Sequence, residues 1–282
     1  MKPHFPSKGP TSPAIGEVRV EREGAIATVV LCNPTKLNAL STAMWREVTR
    51  VFHELSRDDR LRCVVVRGNG GNFAGGADIS EFPTARWGFD RVYRYHQDLV
   101  APALHAIAEC QHPTVALIEG VCVGGGLEIA GLCDMRVAGK SARFGLPINR
   151  LGFPAAPEEF RAILGFAGQK VALELLLEGA IFNAHQALQR GLLTRVVPDR
   201  QVANEAYACA GRIATGAPLA ARLNKQLIRR LVPAAPALSK AELRAFFSSW
   251  AESEDHREGV SAFLEKRTPR FNGKPAPRHP QR

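Results

Sequence analysis

No stretch of the sequence approaches the roughly 18 to 20 apolar residues that span a bilayer. The opening, Met1 to Gly16, carries prolines and polar residues where a secretory leader would be apolar. A membrane-embedded or exported chain is therefore not expected, and the protein reads as cytoplasmic. Cysteine is sparse: Cys32, Cys63, Cys110, Cys122, Cys133 and Cys209 stand far apart, with no C-x-x-C pair and no histidine pattern beside them. Their mostly apolar neighbours predict buried free thiols, with neither a disulfide framework nor a metal site. There is no internal repeat, and low complexity is confined to the Pro- and Arg-containing tail after Pro269.

Acidic residues are also in deficit, 27 against 37 basic ones, which leaves a formal charge of +10. Such a balance suits a polyanionic partner: nucleic acid, a membrane surface or a phosphorylated cofactor. Half of the excess lies between Arg257 and Arg282. A second basic face is formed by Arg222, Lys225, Arg229 and Arg230. Neither region interleaves aromatics as a base-stacking surface does, so nucleic acid is not the expected partner.

What is present is apolar periodicity in alternating styles. Strand-like runs at Val18–Glu21 and Ile26–Leu31 flank Glu23-Gly24, a hairpin signal. Ser41 is placed to cap a helix running to Leu55, with Met44, Val48, Val51, Phe52 and Leu55 at helical spacing. Strands at Cys63–Val66, Thr114–Ile118 and Met135–Ala138 alternate with helical stretches at about 87–109 and 125–132. From Gln201 the pattern is helical, in segments 219–231, 239–251 and 255–266. The rhythm predicts an α/β architecture ending in a helical region with apolar faces suited to a neighbouring subunit.

Two small-residue turns carry the chemistry: Phe73-Ala74-Gly75-Gly76-Ala77-Asp78-Ile79 and Val123-Gly124-Gly125-Gly126-Leu127-Glu128. Each follows an apolar strand, so two bare backbone segments are expected to meet at one sheet edge. Peptide N–H groups can reach a substrate oxygen only where no side chain intervenes, and two facing one oxygen make an oxyanion hole. Gly125 opens a helix, whose unpaired donors and dipole favour developing negative charge. Glu128, three residues on, lies on the same face and leans back toward that position.

These residues resemble the crotonase, or enoyl-CoA hydratase/isomerase, superfamily. The matching segments are Lys36-Leu37-Asn38-Ala39-Leu40, both small-residue turns, Ile129-Ala130 with Cys133-Asp134, Phe144-Gly145-Leu146-Pro147, and Glu258-Gly259 with 262–267. They run in the family's order from about Val18 to Gly273. The resemblance implies a spiral of ββα units with a C-terminal helical trimerisation region, assembling as a trimer or hexamer. It divides the chain into a flexible opening (1–16), a core with the acyl-CoA site (17–200), a helical oligomerisation region (201–268) and a basic tail (269–282). It implies that the N–H groups of Ala77 and Gly125 hold an acyl-CoA thioester oxygen, with Glu128 as acid or base. Lys36, Leu37, Ala74, Asp78 and Ile79 fall at positions that contact the coenzyme A thioester, and Phe263 and Lys266 at positions that do so from an adjacent subunit. No cofactor is implied beyond the coenzyme A of the substrate.

One departure stands out. Hydratases of the family carry a second glutamate directly after Phe-Gly-x-Pro, where this chain has Ile148, followed by Asn149 and Arg150. Glu158 and Glu159, in the first turn of the next helix after Pro157, are helix-capping acids by position and either is a candidate replacement. Ile79, Phe82, Trp87, Phe89 and Tyr93 are candidates for an apolar acyl wall. The leading expectation is an enoyl-CoA hydratase or isomerase working through a thioester enolate. The alternatives are a malonyl-type decarboxylase, which a missing second anion would suit, and a non-catalytic RNA-binding relative.

Overall fold

A computed structural model of the chain describes residues 16–231 and 238–273. The flexible opening and most of the basic tail inferred from sequence lie outside the described residues. The strands are β1 (Glu17–Glu23), β2 (Ile26–Cys32), β3 (Cys63–Gly68), β4 (Thr114–Ile118), β5 (Val121–Val123), β6 (Met135–Gly139), β7 (Arg143–Gly145), β8 (Ile181–Asn183) and β9 (Arg195–Val197). The helices are α1 (Thr42–Ser56), α2 (Phe82–Ala85), α3 (Phe89–Arg94), α4 (Ala101–Glu109), α5 (Gly125–Leu132), α6 (Pro157–Leu177), α7 (Ala184–Gln189), α8 (Val202–Thr215), α9 (Pro218–Leu231), α10 (Lys240–Trp250) and α11 (Glu254–Leu264).

A six-stranded sheet runs in the order β1-β2-β3-β4-β6-β9, parallel except for the antiparallel hairpin β1-β2. That hairpin turns at Gly24, whose φ of 56° lies in the left-handed region that glycine occupies without penalty. The central strands are buried on both faces, as expected of a parallel sheet covered by helices. Period-2 alternation sorts their side chains: Val64 and Val66 face the layer of α1 and α4, while Cys63 and Val65 face α8 through Val202, Ala206, Cys209 and Ala210. Helix α1 presents Met44, Trp45, Val48, Val51, Phe52 and Leu55 inward, and Ser41 Oγ accepts from Met44 N at 3.2 Å, as its capping position predicts. All six cysteines are buried free thiols.

A second sheet, β5-β7-β8, was not legible as strands because each has only three residues. It changes how the second turn is reached: Val123-Gly124 leaves the short β5, not β4. Isolated bridges fix the first turn, Ala74 pairing with Cys122 of β5 and Ala77 with Leu40. The segments touch where they bend, for a methyl added at Gly124 would stand 3.2 Å from Gly76 Cα. The predicted 87–109 helix is broken in two ways. It begins at Phe89, and between α3 and α4 it widens into a π-helical turn over Tyr95–Val100. Such turns re-aim side chains inside helices, and here both Tyr95 and His96 are directed into the cavity described below.

The C-terminal helices return to the same chain. Helix α11 lies against the turn 147–151 so closely that a methyl at Gly259 would come within 2.3 Å of the Leu151 carbonyl carbon. Phe247, Trp250 and Val260 close over Phe82 and Phe153 in a separate aromatic core. Helix α9 is tied down by ions: Asp134 accepts from Lys225 Nζ at 2.7 Å and Arg229 Nη2 at 2.9 Å. Its outer face exposes Leu219, Leu223, Leu227, Ile228 and Leu231.

Candidate active site

A cavity of about 340 Å³ opens where the two turns meet. The first turn contributes Gly75, Gly76, Ala77 and Ile79, the second Val123, Gly124, Gly125 and Glu128. Register decides which N–H groups remain free. In the bridge to Leu40, the bonds run from Leu40 N to Gly76 O (2.7 Å) and from Asp78 N to Leu40 O (2.8 Å), so the Ala77 N–H points away from that partner. Gly125 is the first residue of α5, where no preceding helical carbonyl exists. Neither N–H is spent on a hydrogen bond among the described residues. Two unspent donors therefore border one cavity.

Close packing beneath the second turn explains its glycines. A methyl at Gly125 would lie 2.7 Å from Trp45 Cζ2 and 3.3 Å from Leu40 Cδ1, both in the core. Trp45 is pinned by its Nε1–H, which donates to Tyr95 Oη at 3.2 Å. Gly125→Ala is expected to cost about 1 to 3 kcal/mol of stability through overpacking, read as a lowered urea midpoint with unchanged slope, and to lower turnover as the donor shifts.

Glu128 sits one turn into α5, 5% exposed. Burial, then the neighbouring Glu159, pushes its carboxyl well above the ordinary glutamate value, against the pull of Arg86. Its surroundings therefore favour the protonated form over the ionised one. Glu159 is the second carboxylate of the cavity. Ile148, where the resemblance leads one to expect a second glutamate, also lines the cavity and can neither give nor take a proton. Position near a helix start predicts capping for Glu159, and it does cap: Oε2 accepts from Ala156 N at 2.9 Å. Its other oxygen, Oε1, stands 2.5 Å from His96 Nδ1. Burial alone would raise Glu159. The His96 contact, the Ala156 N–H and Arg86 outweigh it and hold the group below its ordinary value, ionised. Burial also depresses His96, so a neutral ring donates Nδ1–H to the carboxylate. Glu158 faces outward, 3.0 Å from His105 Nε2 and 3.3 Å from Arg161 Nε.

The remaining sequence candidates separate cleanly. Ile79, Phe82 and Phe263 line the cavity with Ala77, Gly125 and Glu128. Phe263 borders the site from α11 of the same chain. Lys36, Leu37, Ala74, Asp78 and Lys266 are not cavity-lining. Lys36 Nζ contacts Asp78 Oδ2 at 2.7 Å and Ser80 Oγ at 2.8 Å outside it. Leu37 is half exposed, and its carbonyl accepts from Gly75 N at 2.8 Å. Ala74 is fully buried, with its N–H given to Val121 O and its carbonyl to Val123 N, both at 3.0 Å. Lys266 follows α11 with φ at 55°. Trp87, Phe89 and Tyr93 do not line it: Trp87 stacks on His256, Phe89 stacks on Tyr93, and Tyr93 meets Phe247 edge-on. Sequence reasoning missed Arg86, Tyr95, His96 and Phe153, which line the cavity from segments whose convergence is purely tertiary.

The arrangement presents two backbone donors and two buried carboxyl groups, one raised and one lowered in pKa, around a mostly apolar space. The enoyl-CoA hydratase/isomerase family model matches residues 21–274. The 2,3-dehydroadipyl-CoA hydratase of Escherichia coli is 32% identical over 267 residues, covering 92% of this chain and all of that protein. An enoyl-CoA hydratase/carnithine racemase from Magnetospirillum magneticum superposes with a TM-score of 0.75 at 42% identity, over 91% of this chain and 96% of its own. A methylmalonyl-CoA decarboxylase bound to 2-nitronate-propionyl-CoA gives a TM-score of 0.79 at 28% identity, over 91% and 98%. Sequence and fold together place this chain in the enoyl-CoA hydratase/isomerase family.

Proposed function

We propose that this protein hydrates a 2-enoyl-CoA through a thioester enolate. The observation that carries the reading is the convergence on one cavity of two buried acids, Glu128 and Glu159, and the unspent N–H groups of Ala77 and Gly125, with surroundings that raise the first acid and lower the second. Groups whose environments push their pKa values apart divide acid and base work between them. Glu159 takes a proton from water as its oxygen attacks C3. Charge moves through C2 onto the thioester oxygen, where the Ala77 and Gly125 donors stabilise it, at about 2.7 to 4 kcal/mol for a donor of this kind. Protonated Glu128 then gives its proton to C2. The coenzyme A moiety supplies remote binding energy that orients the acyl group. The proton taken up by Glu159 passes back to Glu128 before the next turnover, so the net change is the addition of one water and no further cofactor enters. A homotrimer or hexamer built on the apolar face of α9 completes the proposal, in the cytoplasm.

Decarboxylation is the second reading, motivated by the methylmalonyl-CoA decarboxylase neighbour. It rests in the sequence on an empty second-carboxylate position, and the presence of Glu159 in the cavity wall weighs against it. The deciding experiment is a mass-resolved assay against crotonyl-CoA, a 3-enoyl-CoA and methylmalonyl-CoA. Gain of one water on crotonyl-CoA is the expected result. Carbon dioxide released from methylmalonyl-CoA with crotonyl-CoA untouched would overturn hydration.

A further inference from the structure

Arg86 enters the hydration chemistry only through its field on Glu128 and Glu159, yet it borders the same cavity. The residue is 3% exposed, and its guanidinium makes no hydrogen bond among the described residues, with Nε and Nη2 buried and unpartnered. Aromatic rings hold it instead: Cζ lies 4.1 Å from the Phe82 ring centroid, 4.2 Å from Phe153 and 4.9 Å from Tyr95. Ring faces attract the cation but leave its N–H groups uncommitted. The carboxyls within its field do not bond it. Both oxygens of Glu159 are already engaged, by His96 and by Ala156 N, and the surroundings of Glu128 favour its neutral form.

A dry guanidinium without a hydrogen-bond partner is costly, and it stays charged even though burial lowers its pKa. An all-hydrocarbon acyl chain, packed against Ile79, Phe82, Ile148 and Phe153, would leave that cost standing. A carboxylate would remove it, because the planar fork of an arginine matches two carboxylate oxygens. We propose that Arg86 is the receptor for a carboxylate on the acyl group, so that the preferred substrate is the coenzyme A thioester of a dicarboxylic acid. This rests on the reading that an acyl-CoA occupies the cavity. It also sets the fate of the carboxylate: a cation bonded to it stabilises the ionised ground state and opposes its loss as neutral carbon dioxide.

Binding of saturated thioesters tests the proposal apart from catalysis, since they have no double bond to hydrate. Succinyl-, glutaryl- and adipyl-CoA are each titrated calorimetrically near neutral pH against the neutral isostere in which an isopropyl group replaces the carboxylate. Wild-type protein is expected to bind at least one carboxylate about tenfold or more tighter than its isostere. The ratio should fall to near one in Arg86→Met and be partly kept in Arg86→Lys. Equal affinities within every pair for wild type, or a preference that survives in Arg86→Met, would overturn it. If Arg86 only balances Glu128 and Glu159, no preference appears in the first place. Should Arg86→Met fail to fold, the wild-type ratios and Arg86→Lys still decide. Hydration of crotonyl-CoA without a carboxylate preference removes the receptor and keeps the hydratase; a preference without hydration of any enoyl-CoA does the reverse.

Discussion

Glu128→Gln is expected to lower kcat for hydration by about 10²- to 10⁴-fold, the range for loss of a positioned general acid. Glutamine preserves the volume and one carbonyl oxygen, so the wall of the cavity and the first turn of α5 are retained. What it lacks is a proton it can release to C2. Affinity for the thioester should change far less, because the substrate is held by the backbone donors and by coenzyme A at a distance from residue 128. The measurement is steady-state kinetics with crotonyl-CoA beside calorimetric binding of butyryl-CoA. Turnover at the wild-type rate would remove Glu128 from the chemistry, and collapse of both binding and turnover would assign it to the architecture.

The same buried acid shows how far the sequence could be read. The glycine turns and Glu128 were legible because each is local: a strand, a bare turn and a helix start lie within about ten residues, and their chemistry follows from backbone donors and helical geometry. The hairpin at Gly24 and the helix capped by Ser41 were local for the same reason. Glu159 was half legible. Its capping position was visible, but its second role needs His96, 63 residues away in sequence. Arg86 gave no signal at all, being one more basic residue in a basic chain until the fold buries it among Phe82, Tyr95 and Phe153. The strands β5, β7 and β8, of three residues each, are too short for alternation to be read, although they fix where the second turn leaves the sheet.

Glu159→Gln is expected to cost hydration another 10²- to 10⁴-fold or so, and the pH profile separates this from a merely structural loss. In wild-type protein the base must be ionised and the acid protonated. Glu159 is held below the ordinary glutamate value, so activity is lost only as pH falls through that depressed value and the carboxylate takes a proton. Glu128 is raised well above it, so activity is lost again as pH rises through the elevated value and the acid is spent. The result is a bell with a broad plateau, its limbs belonging to the pair because the two groups titrate together. In Glu159→Gln the acid limb should vanish with the rate. His96→Phe tests the same limb from the other side: without the Nδ1–H that stabilises the carboxylate, the limb should move to higher pH while the base survives. An unchanged limb in His96→Phe would mean that His96 only fills space. A Glu159→Gln protein that keeps wild-type hydration would leave that residue as a helix cap, and the water-activating base would then have to be Glu128 alone.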